Sequence, residues 1–194
     1  MHCYATKIHM LKNIVYSALV IENGYMARAG ENPFRSSCVE ALSFSFLHES
    51  KEELLQRCEH FRYRGMIVGP HGSGKTTLLL ALRKWLSDTG RETELFSLHD
   101  WSRSLDWARV RDAVDRRAVI FIDGGELLRF HQRCRLYALC MKGQGLITTS
   151  HMRGILPTLY ATATSPELLK VLSEQLFGEP LSGRDLQNLF TKHG

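Results

Sequence analysis

From residue 33 onward, the chain changes repeatedly between two hydrophobic patterns. Apolar residues spaced three to four positions apart are typical of amphipathic helices, whereas short unbroken or alternating apolar runs are typical of strands. The pattern predicts helices over Glu52–Phe61, Lys75–Leu86, Leu105–Val114, Leu127–Met141 and Gly183–Lys192. It predicts strands over Ala41–Leu47, Met66–Val68, Glu94–Leu98, Ala118–Ile122 and Gly145–Thr149, and two further elements over Thr158–Thr162 and Pro166–Phe177, the latter with Ser165 as N-cap.

This alternation of strands with helices predicts the α/β fold class. Right-handed crossovers between successive strands would produce a mostly parallel central sheet between two helical layers, a three-layer α/β/α sandwich. The length of 194 residues, of which 44% are hydrophobic, suits one core. We expect residues 31–194 to form a single domain that ends in a short helical cap, and residues 1–30 to form a poorly ordered N-terminal extension.

Composition favours a cytoplasmic protein with an anionic ligand. The net charge is +5, from 25 Lys and Arg against 20 Asp and Glu, which falls short of the charge density of a dedicated nucleic-acid coat. The five cysteines form no Cys-x-x-Cys pair, so reduced thiols in the cytoplasm are the simplest interpretation. The longest apolar run near the start, Ile14–Ile21, is too short to span a bilayer, and we expect no membrane contact.

A glycine-rich loop between a predicted strand and a predicted helix carries the strongest chemical signal. Residues 69–76 read Gly-Pro-His-Gly-Ser-Gly-Lys-Thr and match G-x-x-x-x-G-K-[ST] at every fixed position. Gly72 and Gly74 allow backbone angles that turn several amides toward one phosphate, and the helix N-terminus adds its positive dipole end. Lys75 is the expected cation at the β and γ phosphates, and Thr76 offers a hydroxyl ligand to Mg²⁺. The predicted nucleotide-binding residues are Gly69, Pro70, His71, Gly72, Ser73, Gly74, Lys75, Thr76 and Thr77.

An apolar strand that ends in a carboxylate supplies the second half of the predicted site. Asp123 follows the apolar run Val119–Ile122. At the carboxyl end of a parallel strand it would lie on the rim where open α/β sheets bind ligands, and it would hold Mg²⁺ through water. Glu126 has two readings of similar weight. It is either a general base that polarises the attacking water, or an acidic residue in the first turn of the next helix that complements its dipole.

The loop and the acidic strand end resemble the Walker A and Walker B elements of P-loop NTPases. Over residues 65–162 the chain is similar to the additional-strand group, which includes AAA+, RecA-like and STAND ATPases. The resemblance implies the P-loop NTPase fold, with ATP and Mg²⁺ as ligands. Many members have Glu directly after the Walker B Asp, whereas the run Asp123-Gly124-Gly125-Glu126 is closer to the Asp-Gly-containing element of STAND ATPases. Three strings also resemble those of small bacterial P-loop proteins: Leu98-His99-Asp100, Thr149-Ser150-His151 and Leu156-Pro157-Thr158-Leu159-Tyr160.

The same resemblance implies an additional strand that ends in a polar sensor residue. In this group the strand follows the Walker B strand along the chain and lies beside the strand that precedes the P-loop. Leu146–His151 fits this description, so Thr149, Ser150 and His151 are candidates to contact the γ phosphate or the attacking water. The predicted catalytic residues are Lys75, Glu126 and Ser150.

The leading functional expectation is an Mg²⁺-dependent ATPase that hydrolyses ATP slowly at the β–γ bond. Nucleotide binding or hydrolysis would shift the loops around Asp123 and Ser150 between conformations that a protein partner or a second copy reads. Arg153 is either an arginine that acts toward a neighbouring subunit or a solvated loop residue. The chain has no recognisable Asn-Lys-x-Asp guanine motif, which tilts the base preference toward ATP.

Two other functions stay open at this point. A nucleoside, nucleotide or metabolite kinase is compatible with the size and the loop, although the chain has no recognised acceptor motif. Its lid arginines would be Arg129, Arg133 and Arg135, which otherwise form the outer face of an amphipathic helix with Leu128, Phe130, Leu136 and Leu139 interleaved. A nucleotide-dependent nucleic-acid or protein-binding module would stack bases on Trp101 and Trp107, unless these pack in the core, and would bind phosphates with Arg103, Arg109 and Arg111.

Overall fold

The computed structural model describes residues 44–46, 49–99, 104–163 and 165–177. The chain divides into two compact units, of which the larger comprises His48–Pro70 and Gly74–Thr162 and holds all the strands described below. The smaller comprises Met1–Leu47, His71–Ser73 and Ala163–Gly194. The predicted extension at 1–30 and the predicted helix Gly183–Lys192 lie outside the described residues. Residues 44–46, within the predicted strand Ala41–Leu47, are not in a strand.

Helices and strands alternate along the described residues, as the hydrophobic pattern predicts. The helices are α1 (Lys51–His60), α2 (Lys75–Asp88), α3 (Trp107–Asp115), α4 (Phe130–Cys140) and α5 (Pro166–Phe177). The strands are β1 (Arg64–Val68), β2 (Thr93–Ser97), β3 (Val119–Asp123), β4 (Gly145–Ser150) and β5 (Thr158–Ala161). A short 3₁₀ helix, Gly125–Leu127, follows β3. Among the described residues, no helix combines the length and the apolar character needed to cross a membrane.

The five strands form one sheet in the order β2-β3-β4-β1-β5, and every pair of neighbours is parallel. This confirms the α/β class and the parallel sheet. Strand β4 pairs with β1 on one side and with β3 on the other. The strand predicted after the acidic element therefore lies beside the strand that precedes the glycine-rich loop.

Strand β3 runs through the hydrophobic core, because all five of its residues are buried. Successive residues of a strand point to opposite faces, so burial at every position requires cover on both faces. On one face, Ile120 and Ile122 join a cluster of buried residues from α3 and α4. Helix α2, which contacts β1, β3 and β4, buries Leu78, Leu79 and Leu82. Asp123, the last residue of β3, is therefore a carboxylate at the end of an apolar, buried strand.

Three cysteines lie in the described residues, and all three are free thiols: Cys58, Cys134 and Cys140. Cys58 and Cys140 are buried, and burial raises the pKa of each thiol to about 12. Both therefore serve as small apolar core residues. Cys3 and Cys38 lie outside the described residues.

Gly145 begins β4 at a point where the backbone of Tyr63 comes too close for any side chain. A Cβ at position 145 would lie 2.6 Å from the Cβ of Tyr63 and 2.9 Å from its carbonyl carbon. The same carbonyl accepts a hydrogen bond of 2.8 Å from the amide of Leu146, and Tyr63 has a φ of 56°. Because this hydrogen bond already holds the backbone of Tyr63, the backbone can move little to make room for a side chain at position 145.

We predict that Gly145→Ala lowers the free energy of unfolding by about 2 kcal/mol or more, because the added methyl group overpacks this contact. Gly143→Ala is the matched control. A Cβ at position 143 would lie no closer than 3.8 Å to any neighbour, so we expect a change within about 0.5 kcal/mol. Urea denaturation followed by circular dichroism measures both, and equal stabilities for the two variants would refute this account of β4.

Candidate functional site

The carboxyl ends of three strands and the start of helix α2 meet at one edge of the sheet. Val68 at the end of β1 pairs with Ser150 at the end of β4, and the amide of Gly69 donates to the carbonyl of Ser150 over 3.2 Å. Strand β3 ends at Asp123, which lies next to Thr76 in the first turn of α2. Because the strands are parallel, their polar terminal residues collect at the same edge.

The glycine-rich loop connects β1 to α2, and two of its glycines adopt left-handed backbone angles. Gly72 has a φ of 75° and Gly74 a φ of 88°. Residues other than glycine rarely adopt these backbone angles, which agrees with the expectation that both positions require glycine. Gly74 is also the N-cap of α2 and brings no side chain to cap it. Helix N-termini favour negative charge, because their first backbone N–H groups point outward along the helix axis.

The ammonium group of Lys75 is buried and hydrogen-bonded. Its Nζ donates to the carbonyl oxygens of Gly69 and Pro70, over 2.8 and 2.6 Å, and lies 3.2 Å from Nδ1 of His151. An ammonium has three N–H donors, and these are three acceptors. If a phosphate oxygen accepted one of these hydrogen bonds instead, the ammonium would face a full negative charge in place of a neutral acceptor.

The carboxylate of Asp123 is buried and receives two hydroxyl groups. Thr76 Oγ1 lies 3.0 Å from each carboxylate oxygen, and Thr149 Oγ1 donates to Oδ1 over 2.8 Å. The hydroxyl of Thr149 in turn accepts the amide of Gly124 over 2.8 Å. A buried charge is costly unless hydrogen bonds stabilise it, so these contacts fix Asp123 against both α2 and β4.

Glu126 lies in the 3₁₀ helix and points one oxygen at His151. Its Oε1 is 3.1 Å from Nε2 of His151, whereas its Oε2 is buried and has no hydrogen-bond partner among the described residues. Helix α4 begins only at Phe130, so Glu126 lies outside its first turn. Glu126 thus lies in the first turn of the 3₁₀ helix and not of α4, and its role as a general base stays a prediction.

Two glycines explain why Glu126, rather than the residue next to Asp123, carries this carboxylate. Gly124 has a φ of 79° and fits against the carbonyl oxygen of Leu98, which would lie 3.1 Å from a Cβ. At Gly125 a Cβ would overlap the hydroxyl of Thr148. A Glu at either position would be strained or would clash, whereas the next position carries the acid Glu126.

The structure distinguishes the three candidate sensor residues of β4 and its end. Ser150, predicted to be catalytic, donates its hydroxyl to the carbonyl of Met152 over 2.8 Å and accepts the amide of Met152 over 3.3 Å. The contacts to Asp123, Lys75 and Glu126 come instead from Thr149 and His151. No sequence signal separates them, because every residue of β4 is buried and His151 lies beyond the end of the strand.

The remaining loop residues differ in exposure. His71 is exposed and Ser73 is buried, in the smaller unit, and Thr77 is a partly buried residue of the first turn of α2. Arg153 is exposed, on the segment between β4 and β5. The predicted contacts of these residues with nucleotide stay predictions.

The predicted base-stacking surface is engaged within the protein itself. Trp107 packs against the core cluster and lies under the guanidinium of Arg135, which is 4.2 Å from the ring centroid. Arg109 forms an ion pair with Glu94 and stacks on Phe96. Arg129 and Arg135 are exposed and Arg133 is partly buried. Arg111 is exposed, and Trp101 and Arg103 lie outside the described residues, so this surface stays a prediction.

The ligand atoms at the sheet edge fit a magnesium ion. Thr76 offers a hydroxyl and Asp123 a carboxylate, both hard oxygen donors, and Mg²⁺ bound with phosphates uses only one or two protein ligands and keeps several waters. The described residues contain no cluster of three or more His, Cys, Asp or Glu that could form an all-protein metal site. The geometry therefore suits an ion that arrives with a phosphate ligand.

Comparison with known proteins does not identify a family. No protein-family model matches the chain, and neither a curated protein nor a solved structure matches it at a significant level. The function is therefore inferred from the residues at the edge of the sheet.

We predict that Thr149→Val destabilises the protein by about 1–3 kcal/mol, because it leaves one oxygen of buried Asp123 and the amide of Gly124 without the hydroxyl that serves both. Thr149→Ser keeps that hydroxyl and is the control, with a loss of no more than about 1 kcal/mol from the missing methyl group. Chemical denaturation compares them. If the two variants lose equal stability, the hydroxyl does not hold Asp123.

Proposed function

We propose that the chain is an Mg²⁺-dependent ATPase of the P-loop NTPase fold, a three-layer α/β/α sandwich, that hydrolyses ATP at the β–γ bond. One observation carries the proposal: Thr76 Oγ1 lies 3.0 Å from both oxygens of Asp123. These residues belong to two separate motifs of the sequence, the end of the glycine-rich loop and the end of an apolar strand. The position of β4 between β1 and β3 supports the same class, since it is the position of the additional strand.

The proposed role of each residue follows from its contacts. Thr76 and Asp123 would hold Mg²⁺, the hydroxyl directly and the carboxylate through water, and the ion would neutralise charge that develops on the β and γ phosphates. Lys75 would exchange its bonds to the carbonyls of Gly69 and Pro70 for bonds to phosphate oxygens. The amides at the start of α2 would bind the phosphates from the other side.

Glu126 is the residue proposed to orient the attacking water. Its Oε2 is a buried acceptor without a hydrogen-bond partner in the described residues. A water molecule would donate the missing hydrogen bond. Arg153, the residue that the sequence offers as an arginine acting toward a neighbouring subunit, is exposed. We therefore propose slow turnover, raised by a protein partner or a second copy, in the cytoplasm.

We predict that Lys75→Ala weakens MgATP binding by about 10- to 100-fold, because a charge-assisted hydrogen bond contributes about 1.5–3 kcal/mol. Lys84→Ala is the control, since Lys84 is an exposed lysine of the same helix and should leave the affinity unchanged. Isothermal titration calorimetry measures both dissociation constants. Wild-type affinity in folded Lys75→Ala protein would contradict the assignment of the loop.

We predict that Asp123→Asn removes most of the Mg²⁺ dependence of ATP binding and lowers turnover by about 100-fold. In the parent protein, chelation by EDTA should weaken ATP binding, whereas in the variant EDTA should have little further effect. Asp115→Asn, at an exposed position of α3, is the matched control. Turnover is measured with MgATP and MgGTP, with and without nucleoside acceptors. ATP consumption only when an acceptor is added would replace the hydrolase with a kinase.

A further inference from the structure

His151 connects the two functional groups that the proposed reaction needs most. It directly follows β4, and its ring contacts residues of three other segments: the glycine-rich loop, α2 and the 3₁₀ helix after β3. Nδ1 lies 3.2 Å from both Lys75 Nζ and the carbonyl oxygen of Gly69. Nε2 lies 3.1 Å from Oε1 of Glu126. One imidazole thus spans from the proposed phosphate-binding cation to the proposed water-orienting carboxylate.

The chemistry of the two neighbours selects one tautomer of the ring. The ammonium of Lys75 can only donate, so Nδ1 accepts from it, and the carbonyl of Gly69, also 3.2 Å from Nδ1, takes its hydrogen bond from Lys75 Nζ over 2.8 Å. A neutral imidazole then carries its proton on Nε2, which is the nitrogen that faces the carboxylate of Glu126. Both contacts therefore require the same Nε2–H form, and each one stabilises the ring in the orientation that the other needs.

The contact divides the two oxygens of Glu126 between two tasks. Oε1 is held by His151, and Oε2 is buried and without a hydrogen-bond partner in the described part of the chain. A glutamate side chain has several rotatable bonds, and an unrestrained carboxylate would orient water poorly. The hydrogen bond from Nε2 limits this freedom and leaves Oε2 as the oxygen that can receive a water molecule.

We propose that His151 is a positioning residue that fixes Glu126 for water activation, with its own orientation set by Lys75. This inference rests on the proposed function, because Glu126 has a water to orient only if the protein hydrolyses nucleotide. His151 acts through Glu126 and accepts no proton from the water itself. The proton passes to Oε2 of Glu126 as the water oxygen attacks the γ phosphorus and the bond from that phosphorus to the bridging oxygen of ADP breaks.

The test separates His151→Phe, which keeps a ring of similar size but loses both hydrogen bonds, from His151→Gln, which keeps one donor and one acceptor. We expect His151→Phe to lower kcat for ATP hydrolysis by about 10- to 100-fold, as removal of groups that orient a catalytic ligand does elsewhere. The dissociation constant for MgATP should change less than about threefold, because phosphate binding does not use His151. His151→Gln should recover most of the lost kcat. His131→Phe, at an exposed position of α4, is the control and should leave kcat unchanged.

A double-variant cycle with Glu126→Gln tests whether His151 acts through Glu126. If His151 acts through Glu126, the variant that carries both Glu126→Gln and His151→Phe should be no slower than Glu126→Gln alone. Effects that multiply would overturn the proposal, as would a loss of MgATP affinity at unchanged kcat or a failure of His151→Gln to recover activity.

A spectroscopic measurement on the nucleotide-free protein keeps this inference distinct from the proposed function. Side-chain ¹⁵N NMR should show His151 as the neutral Nε2–H tautomer with Nδ1 as an acceptor. The Nδ1–H tautomer would overturn the inference even in a protein that hydrolyses ATP. Failure of the parent protein to bind MgATP would instead overturn the proposed function, whichever tautomer is found.

Discussion

The carboxylate of Asp123 is the group on which the arrangement of this site depends. It is a charge placed at the end of a strand whose other residues are all buried and apolar, and such a charge is stable only if it is hydrogen-bonded. The donors come from two different elements, Thr76 at the start of α2 and Thr149 in β4. The hydrogen bonds to this one carboxylate therefore hold the end of β3, the start of α2 and the end of β4 together.

The helices and strands of the larger unit were predictable from local patterns, because the spacing of apolar residues in each segment determines which of its faces is buried. Five apolar residues in a row allow only a strand covered on both faces, and β3 is that strand. The glycines at 72 and 74 were predictable for a similar reason, since the loop needs left-handed angles at these positions. The expectation that β4 lies beside β1 came from the resemblance to the additional-strand group rather than from any local pattern.

Helix α4 shows where local patterns fail. A helix drawn from Leu127 onward turns Phe130 toward the core, but Phe130 is 69% exposed. Leu128 and Arg129 have extended backbone angles, with ψ of 137° and 152°, so the helix begins only after them. Leu128 occupies the buried position instead, and the phase of the helix that follows is shifted. Periodicity alone does not reveal such a break, because Leu128 and Arg129, which connect the 3₁₀ helix to α4, include no proline or glycine.

Polar character does not distinguish Thr149, Ser150 and His151, and strand alternation does not either, because all six residues of β4 are buried and His151 lies beyond the strand. The hydrogen bonds of Ser150 to Met152 support the turn after β4. The ring of His151 reaches Lys75 and Glu126 only because three segments that are distant in sequence meet there, which no local pattern can report.

The most direct test of the central claim is a crystal structure with Mg²⁺ and a non-hydrolysable ATP analogue. The account predicts an ion about 2.1 Å from Thr76 Oγ1, with Asp123 in its second sphere, and the ammonium of Lys75 moved from the carbonyls of Gly69 and Pro70 to the phosphates. A triphosphate bound elsewhere, with Thr76 still hydrogen-bonded to Asp123 and no ion beside them, would contradict it.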